Sequence, residues 1–207
     1  EFPKWKWQVT VGEFNLNQED YGEEVFEVEG IYNHELFNKK PLDYDVALIQ
    51  IKPAFDGRGI KFNGMVKPAC TNKLIQTTSL MVGELLVSGW GHLNESSSKL
   101  SDVLQKATVP LIDQRECENY YPCLITERMF CAGYPDGAID SCQGDSGGPI
   151  VFKADNYTVL YGIVSWGHGC ARPNKPGVYT RVSEFISWIQ KTIYSNSDNV
   201  EQIKIPC

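Results

Sequence analysis

The chain has 207 residues and is 42% hydrophobic, so it can bury the core of one domain or of two small packed subdomains. Its formal net charge of −7 argues against a nucleic-acid partner or an anionic membrane surface, since both need clustered Lys and Arg. We find neither a signal peptide nor an apolar run long enough to span a bilayer.

Short apolar segments separated by turn residues predict an all-β fold. The basic cluster Lys4 to Lys6 is interpreted as the start of an edge strand. Segments 9–11 and 25–28 alternate apolar and polar residues, as half-buried strands do. Further strands are predicted at 46–51, 85–87, 108–112, 150–152, 159–164 and 178–182. Such a series of strands is typical of a barrel or a pair of barrels.

Only the end of the chain is predicted to be helical. Its apolar residues recur at three- and four-residue spacing, which places them on one helix face, and Ser183 is the predicted N-cap. These apolar residues are Phe185, Trp188, Ile189 and Ile193.

Seven cysteines indicate an oxidising compartment, and no pair has the close spacing of a zinc or thioredoxin site. A secreted, extracellular protein with a disulfide framework is therefore expected. Because the count is odd, at least one sulfur is free or bonds outside this chain. Two N-glycosylation acceptors, Asn94 in Asn-Glu-Ser and Asn156 in Asn-Tyr-Thr, agree with a secreted glycoprotein.

The run from Asp140 to Pro149 carries the strongest chemical signal. Glycines flank Asp145 and Ser146, so the backbone can turn tightly there and approach a substrate closely. Successive backbone N–H groups in such a turn can hold a developing oxyanion. A glycine-rich surface turn is the alternative, but it does not account for the glycine motifs downstream, such as Ser165-Trp166-Gly167.

Together these motifs resemble those of the trypsin/chymotrypsin-like serine proteases. The matching segments are Gly144 to Pro149, Asp43 to Leu48, Gly89 to Gly91 and Ser165 to Gly167. The resemblance implies a two-barrel all-β fold with a C-terminal helix, the first barrel being incomplete at its N-terminus. It divides one peptidase domain, 1–207, into the rest of the first barrel (1–80), the second barrel (81–182), the helix (183–194) and an extension (195–207).

The resemblance also implies an active site. Ser146 matches the nucleophile and Asp45 the residue that orients the catalytic histidine, while the N–H groups of Gly144 and Ser146 match the oxyanion hole. The substrate would be a protein cleaved after Arg or Lys, and protein protease inhibitors are candidate partners. The implied substrate-binding residues are Asp140 at the pocket floor, Gly167 and Gly177 on its walls, and Ser165, Trp166 and Gly167 beside the substrate backbone.

The disulfides implied by the same resemblance are Cys117–Cys131 and Cys142–Cys170. Cys70 matches a cysteine that ties the catalytic domain to an upstream activation segment. A zymogen is thus expected, in which activation frees an N-terminal ammonium that pairs with Asp145. Cys123 and Cys207 fall outside the pattern and are candidates to bond to each other.

The chain departs from the family at the catalytic histidine. The family's Ala-Ala-His-Cys run would lie upstream of residue 7, and His34, His92 and His168 stand in other sequence contexts. The base is therefore expected upstream of this chain, which alone would be inactive. A binding or regulatory homologue that has lost catalysis, or a truncated isoform acting as a decoy, are the alternatives.

The acidic stretch between residues 13 and 24 resembles the family's calcium loop. Oxygen-rich side chains and carbonyls on a short loop suit calcium, although a solvated acidic hairpin fits the same residues. No other cofactor is expected. The candidate ligands are Glu13, Asn15, Gln18, Asp20 and Glu23.

Overall fold

The computed structural model describes residues 3–54, 56–71, 84–153 and 157–196. Its strands are β1 (Gln8–Val11), β2 (Glu24–Asn33), β3 (Asn38–Lys39), β4 (Leu42–Asp43), β5 (Ala47–Ile51), β6 (Glu84–Gly89), β7 (Gln105–Pro110), β8 (Met129–Ala132), β9 (Pro149–Lys153), β10 (Thr158–Trp166) and β11 (Gly177–Arg181). Its α-helices are α1 (Gln114–Tyr120) and α2 (Ile186–Ser195), and 3-10 turns cover Lys4–Lys6 and Val182–Phe185.

The first unit of the fold is an open antiparallel sheet of order β1-β2-β5, accompanied by the small pair β3-β4. In β2, Phe26 and Val28 are buried, whereas Val25 and Glu27, on either side of Phe26, are exposed. This alternation is what a strand with one core-facing side requires. The strand was predicted from the same alternation in the sequence.

The second unit is a six-stranded antiparallel sheet of order β7-β6-β9-β10-β11-β8. Its two edges meet, because the N–H of Ile112 donates to the carbonyl of Cys131 and the N–H of Gly133 donates to that of Pro110, both at 3.0 Å. The sheet therefore closes into a barrel. Its core is built of apolar and aromatic residues from all six strands: Leu85, Val87, Val109, Phe130, Ala132, Ile150, Tyr161, Val164 and Tyr179.

The helices lie on the outside of the sheets. Asp113 caps α1 by accepting a hydrogen bond from the N–H of Arg115 at 2.9 Å. α2 is held against the first unit, since the indole of Trp188 donates to Glu35 at 2.9 Å and stacks on His34 with ring centroids 4.9 Å apart. No described helix is long and apolar enough to cross a membrane.

The expected all-β fold with a C-terminal helix is confirmed, and each of the eight predicted strands overlaps an observed one. Three local predictions are wrong. Lys4–Lys6 forms a 3-10 turn rather than the start of a strand, and the helix α1 was not predicted. Ser183 lies inside the second 3-10 turn and caps nothing, because α2 begins three residues later. The predicted boundary between residues 80 and 81 lies outside the described residues.

Candidate active site

Ser146 lies in the loop that joins β8 to β9. The loop is folded by tight turns, in which the N–H of Asp145 donates to Cys142 at 3.0 Å and that of Gly148 donates to Asp145 at 2.8 Å. Gly147 has a positive φ of 80° and donates its N–H to Val164 in β10 at 2.9 Å. These bonds fix the loop on the barrel and leave the Ser146 side chain exposed.

Asp45 faces the same space as Ser146. Both line a cavity of about 540 Å³ between the two units of the fold. The carboxylate of Asp45 accepts a hydrogen bond from the hydroxyl of Ser165 at 2.6 Å, and its backbone carbonyl accepts one from Thr180 at 2.8 Å. The second barrel thus holds in place an aspartate that belongs to the first unit.

Two backbone N–H groups beside the Ser146 side chain are unused. Neither the N–H of Gly144 nor that of Ser146 donates to any residue within the described ranges. Gly144 has a φ of 97°, and a Cβ there would lie 2.5 Å from a methyl carbon of Leu100. The backbone conformation favours glycine at this position, and an added Cβ would also force the Leu100 side chain to move.

The carboxylate of Asp145 is turned away from Ser146 into the barrel wall. It accepts hydrogen bonds from the N–H of Gly91 at 2.8 Å and from the N–H of Cys142 at 2.9 Å. A Cβ on either Gly89 or Gly91 would collide with this carboxyl group. The Gly89-Trp90-Gly91 motif therefore makes room for Asp145, which also borders a cavity of about 190 Å³.

Asp140 carries a carboxylate without an ion-pair partner among the described residues. It accepts hydrogen bonds from the N–H of Ser141 at 2.8 Å and from that of Ala171 at 3.1 Å. Burial raises the pKa of Asp140 to about 6, and the negative charge of Asp145 adds to the effect. Burying this charge without a partner costs free energy, which an approaching cation would offset.

The glycines predicted to line a pocket with Asp140 lie next to one another. A Cβ on Gly177 would be 2.7 Å from a carboxylate oxygen of Asp140, and a Cβ on Gly167 would be 4.0 Å from the Cα of Gly177. Gly167 and Trp166 line a separate apolar cavity of about 560 Å³. Asp140 lines the smaller cavity beside Asp145 and none of the cavity that holds Ser146.

Comparison with known proteins shows the family of the chain. A family model described as trypsin matches residues 4–189. The chain belongs to the trypsin family. It is 40% identical to anionic trypsin of Canis lupus familiaris, over 92% of this chain and 72% of the relative. It is 40% identical to trypsin-3 of Salmo salar (91% and 74%) and 47% identical to transmembrane protease serine 7 of Mus musculus (81% and 20%).

Both disulfides implied by the family are present, Cys117–Cys131 and Cys142–Cys170. Cys70 is buried and disulfide-bonded. It therefore has no free thiol in this structure for the predicted bond to an upstream segment. Cys123 is exposed and free, which contradicts a bond between Cys123 and Cys207. Cys207 itself lies outside the described residues.

Of the two glycosylation acceptors, Asn94 is exposed on a turn and Asn156 lies outside the described residues.

The three histidines of this trypsin-family chain are engaged away from Ser146. The ring of His34 packs against those of Tyr44, Phe185 and Trp188, and its Nδ1 accepts a hydrogen bond from the N–H of Leu36 at 3.2 Å. Burial lowers the pKa of His34. His92 lines the cavity beside Asp145, and His168 packs against Tyr121 and Trp166. None of the three lines the cavity of Ser146.

The acidic loop brings its three candidate carboxylate ligands together. Carboxylate oxygens of Glu13, Asp20 and Glu23 lie within 4.8 Å of one another. The side chain of Asn15 accepts a hydrogen bond from the N–H of Asn17 at 3.2 Å, and that of Gln18 donates one to Asp20 at 3.4 Å. Burial, then Glu23 and Asp20, raise the pKa of Glu13.

Sequence reasoning missed one pair that supports the site. Arg128 donates two hydrogen bonds to the carboxylate of Asp43, at 2.8 and 3.0 Å, and lies over the ring of Tyr44 at 4.4 Å. Thr126 and the N–H of Tyr44 add bonds of 3.2 and 2.8 Å to the same carboxylate. Asp43 stands two residues before Asp45 in the matched motif, which was the one available signal.

Proposed function

We propose that this chain carries the nucleophile and the specificity residues of a serine endopeptidase that cleaves proteins after Arg or Lys. The observation that supports this most strongly is that Ser146 and Asp45 line one cavity, in a chain of the trypsin family. Ser146 is exposed and fixed by its loop, and Asp45 is oriented by hydrogen bonds from the second barrel.

In the proposed reaction, the Ser146 hydroxyl attacks the scissile carbonyl carbon while a histidine base takes its proton. Asp45 would orient that base and stabilise its charge. The oxyanion would accept hydrogen bonds from the N–H groups of Gly144 and Ser146, which have no other acceptor among the described residues. The leaving amine receives the proton, and water then releases the acyl group.

The base itself is proposed to lie outside these 207 residues. His34 is enclosed by aromatic rings, and its Nδ1 already accepts a hydrogen bond. His92 and His168 line other cavities. We also infer that Asp145 receives an N-terminal ammonium after activation, since its carboxylate borders a small cavity and has two hydrogen bonds but no cation among the described residues.

Specificity for Arg or Lys would come from Asp140. Its carboxylate is desolvated and lacks a described cationic partner, and Gly177, on which a Cβ would lie 2.7 Å from a carboxylate oxygen, puts no side chain into the space beside it. A guanidinium or ammonium group entering that space would supply the missing charge. The substrate backbone would pair with Ser165 to Gly167 as an added strand, and a protein inhibitor would use the same contacts.

Two structural disulfides and an exposed acceptor, Asn94, support a secreted, extracellular protein.

A structural calcium ion is proposed for the acidic loop. The carboxylates of Glu13, Asp20 and Glu23 converge, and Glu13 Oε1 is buried without a hydrogen-bond partner among the described residues. A hard divalent cation suits such an oxygen cluster, so these residues fit the group. Carbonyl oxygens of Asn15 and Gln18 could complete its shell. Calcium should raise the melting temperature of the protein, and Glu13→Gln with Glu23→Gln should abolish that rise.

The function is tested with the full-length protein after activation. We expect it to hydrolyse Arg and Lys esters and to react with a phosphonofluoridate at Ser146, whereas Ser146→Ala should do neither. Asp140→Asn should keep the labelling but lose about 10²–10³-fold in kcat/KM on basic substrates, as expected when one charge of a buried pair is removed. A folded, activated protein that fails to label would instead favour a binding or regulatory homologue.

A further inference from the structure

The apolar cavity beside the strand proposed to bind the substrate is also lined by two lysines. Leu42, Leu124 and Trp166 contribute apolar surface to this cavity of about 560 Å³, and Gly167 forms part of its wall. Lys39 and Lys40 line it as well, and both are exposed. Two adjacent lysines stand out on a chain whose net charge is −7.

Neither lysine is neutralised within the described parts of the chain. No carboxylate there forms an ion pair with Lys39 or Lys40. The acidic residue that follows Leu42, Asp43, is already bound to Arg128 through two hydrogen bonds. The pair of ammonium groups is therefore available to an external anion.

The position of Lys39 connects this charge to the proposed reaction. Lys39 lines both the apolar cavity and the cavity that holds Ser146 and Asp45. Trp166 and Gly167, in turn, belong to the strand proposed to pair with the substrate backbone. In the proposed function, Asp140 holds the residue just before the cleaved bond, and Gly167 lies beside Gly177 at that pocket. A peptide that continues from there along Trp166 and Gly167 would therefore pass the two lysines with residues on the N-terminal side of the bond.

We propose that Lys39 and Lys40 select substrates with an acidic residue two to four positions before the cleaved bond, beside an apolar residue that fills the cavity. This inference rests on the proposed endopeptidase function and adds a second requirement to the basic residue at the cleavage point. Each exposed ion pair contributes modestly, so we expect about a fivefold preference. Like-charged Lys or Arg at those positions would be disfavoured.

The test uses activated full-length protein and peptides with one Arg cleavage point. Peptides are paired so that they differ only by Glu or Gln at the second, third or fourth position before the bond. At one of these positions at least, kcat/KM should be about fivefold higher for Glu. The ratio should fall towards one in 1 M salt, because salt screens exposed charges.

Variants identify the residues responsible. K39E/K40E should invert the preference, so that the Gln peptide is cleaved faster than its Glu partner. The control K61E/K67E changes net charge equally at two exposed lysines that do not line the cavity, and it should keep the wild-type ratio. A Glu-to-Gln ratio near one at all three positions in the wild type, or an unchanged ratio in K39E/K40E, would overturn the inference.

Failure of the proposed function gives a different result. Cleavage of both peptides at equal rates would contradict only the acidic preference. If neither peptide is cleaved, binding of the same peptides to the S146A variant is measured by fluorescence anisotropy. Tighter binding of the Glu peptides would then support the selectivity of the cavity without catalysis, and equal binding would refute it.

Discussion

At the scale of single residues, Asp140 combines a cost in stability with a proposed benefit in binding. Its pKa in the folded protein is about 6, well above the usual value for an aspartate. The folded state therefore holds the proton more tightly than the unfolded state does. As the pH rises from about 4 to about 6, this residue removes stability, and above that range the full cost of the buried charge is present.

This titration predicts the pH dependence of cation binding. An aryl amidine needs the ionised carboxylate, so its affinity for the full-length protein should rise nearly tenfold per pH unit below about 6 and level off above that value. Isothermal titration calorimetry between pH 4.5 and 8 would measure the profile. An affinity that does not change over this range would contradict the assignment of Asp140.

Asp140→Asn serves as the matched variant. It should bind the amidine weakly at every pH and yet be more stable than the wild type at pH 8, by about 2–3 kcal/mol, because the buried charge is removed. Asp136→Asn, at an exposed position four residues earlier, should change neither quantity. Urea unfolding would separate lost binding from misfolding.

At the scale of elements, Asp43 and Arg128 join the end of β4 to the segment that enters β8. Asp43 is 8% exposed, and its carboxylate accepts four hydrogen bonds. Arg128 holds the pKa of this carboxyl low even though burial alone would raise it. Because Asp45 lies two residues further on, this pair also fixes the approach of Asp45 to the second barrel.

We expect Asp43→Asn or Arg128→Gln to destabilise the protein by about 2 kcal/mol each, with a coupling energy above 1 kcal/mol in a double-mutant cycle. The pair Glu27 and Lys52 offers a control, since its atoms are 2.6 Å apart but its side chains are 72% and 50% exposed. Its coupling should stay below about 1 kcal/mol in urea unfolding. Equal coupling in the two cycles would show that burial adds nothing to the Asp43–Arg128 pair.

The apolar pattern predicted eight strands, among them β11, which is buried over four of its five residues, and it missed β3, β4, β8 and α1. β8 is buried along its whole length, so its four residues show no alternation to read. β3 and β4 are two residues long, too short for any period. Helix α1 has only seven residues. The one sequence signal for it is its N-cap, Asp113, and from the sequence alone that residue cannot be told from an aspartate in a loop.

At the scale of the whole molecule, sequence motifs located the site, but not the contacts that assemble it. The runs around Asp45 and Ser146 could be matched locally. The bond from Ser165 to Asp45 joins residues 120 positions apart, and the bond from Arg128 to Asp43 spans 85. Such pairs have no local sequence signature, because their residues meet only when the two units have folded and packed against each other.

The two units differ in closure among the described residues. Hydrogen bonds between its edges close the second unit into a barrel, whereas the first unit is an open three-stranded sheet. Two large apolar residues of that sheet, Val25 and Ile49, are 54% and 49% exposed, and Ile49 lines the cavity of Ser146. Open edges and exposed apolar faces of this kind favour aggregation.

The isolated 207 residues are therefore expected to be inactive. Acyl transfer by Ser146 needs a base, and none of the three histidines lines its cavity. Loss of a triad histidine lowers turnover by roughly 10⁶-fold, about 8 kcal/mol of barrier. The isolated chain should neither hydrolyse Arg or Lys esters nor label with a phosphonofluoridate, while the activated full-length protein, measured in parallel, should do both. Labelling of Ser146 in the isolated chain would show that His34, His92 or His168 leaves its observed contacts to act as the base, and the three single His→Ala variants would identify which.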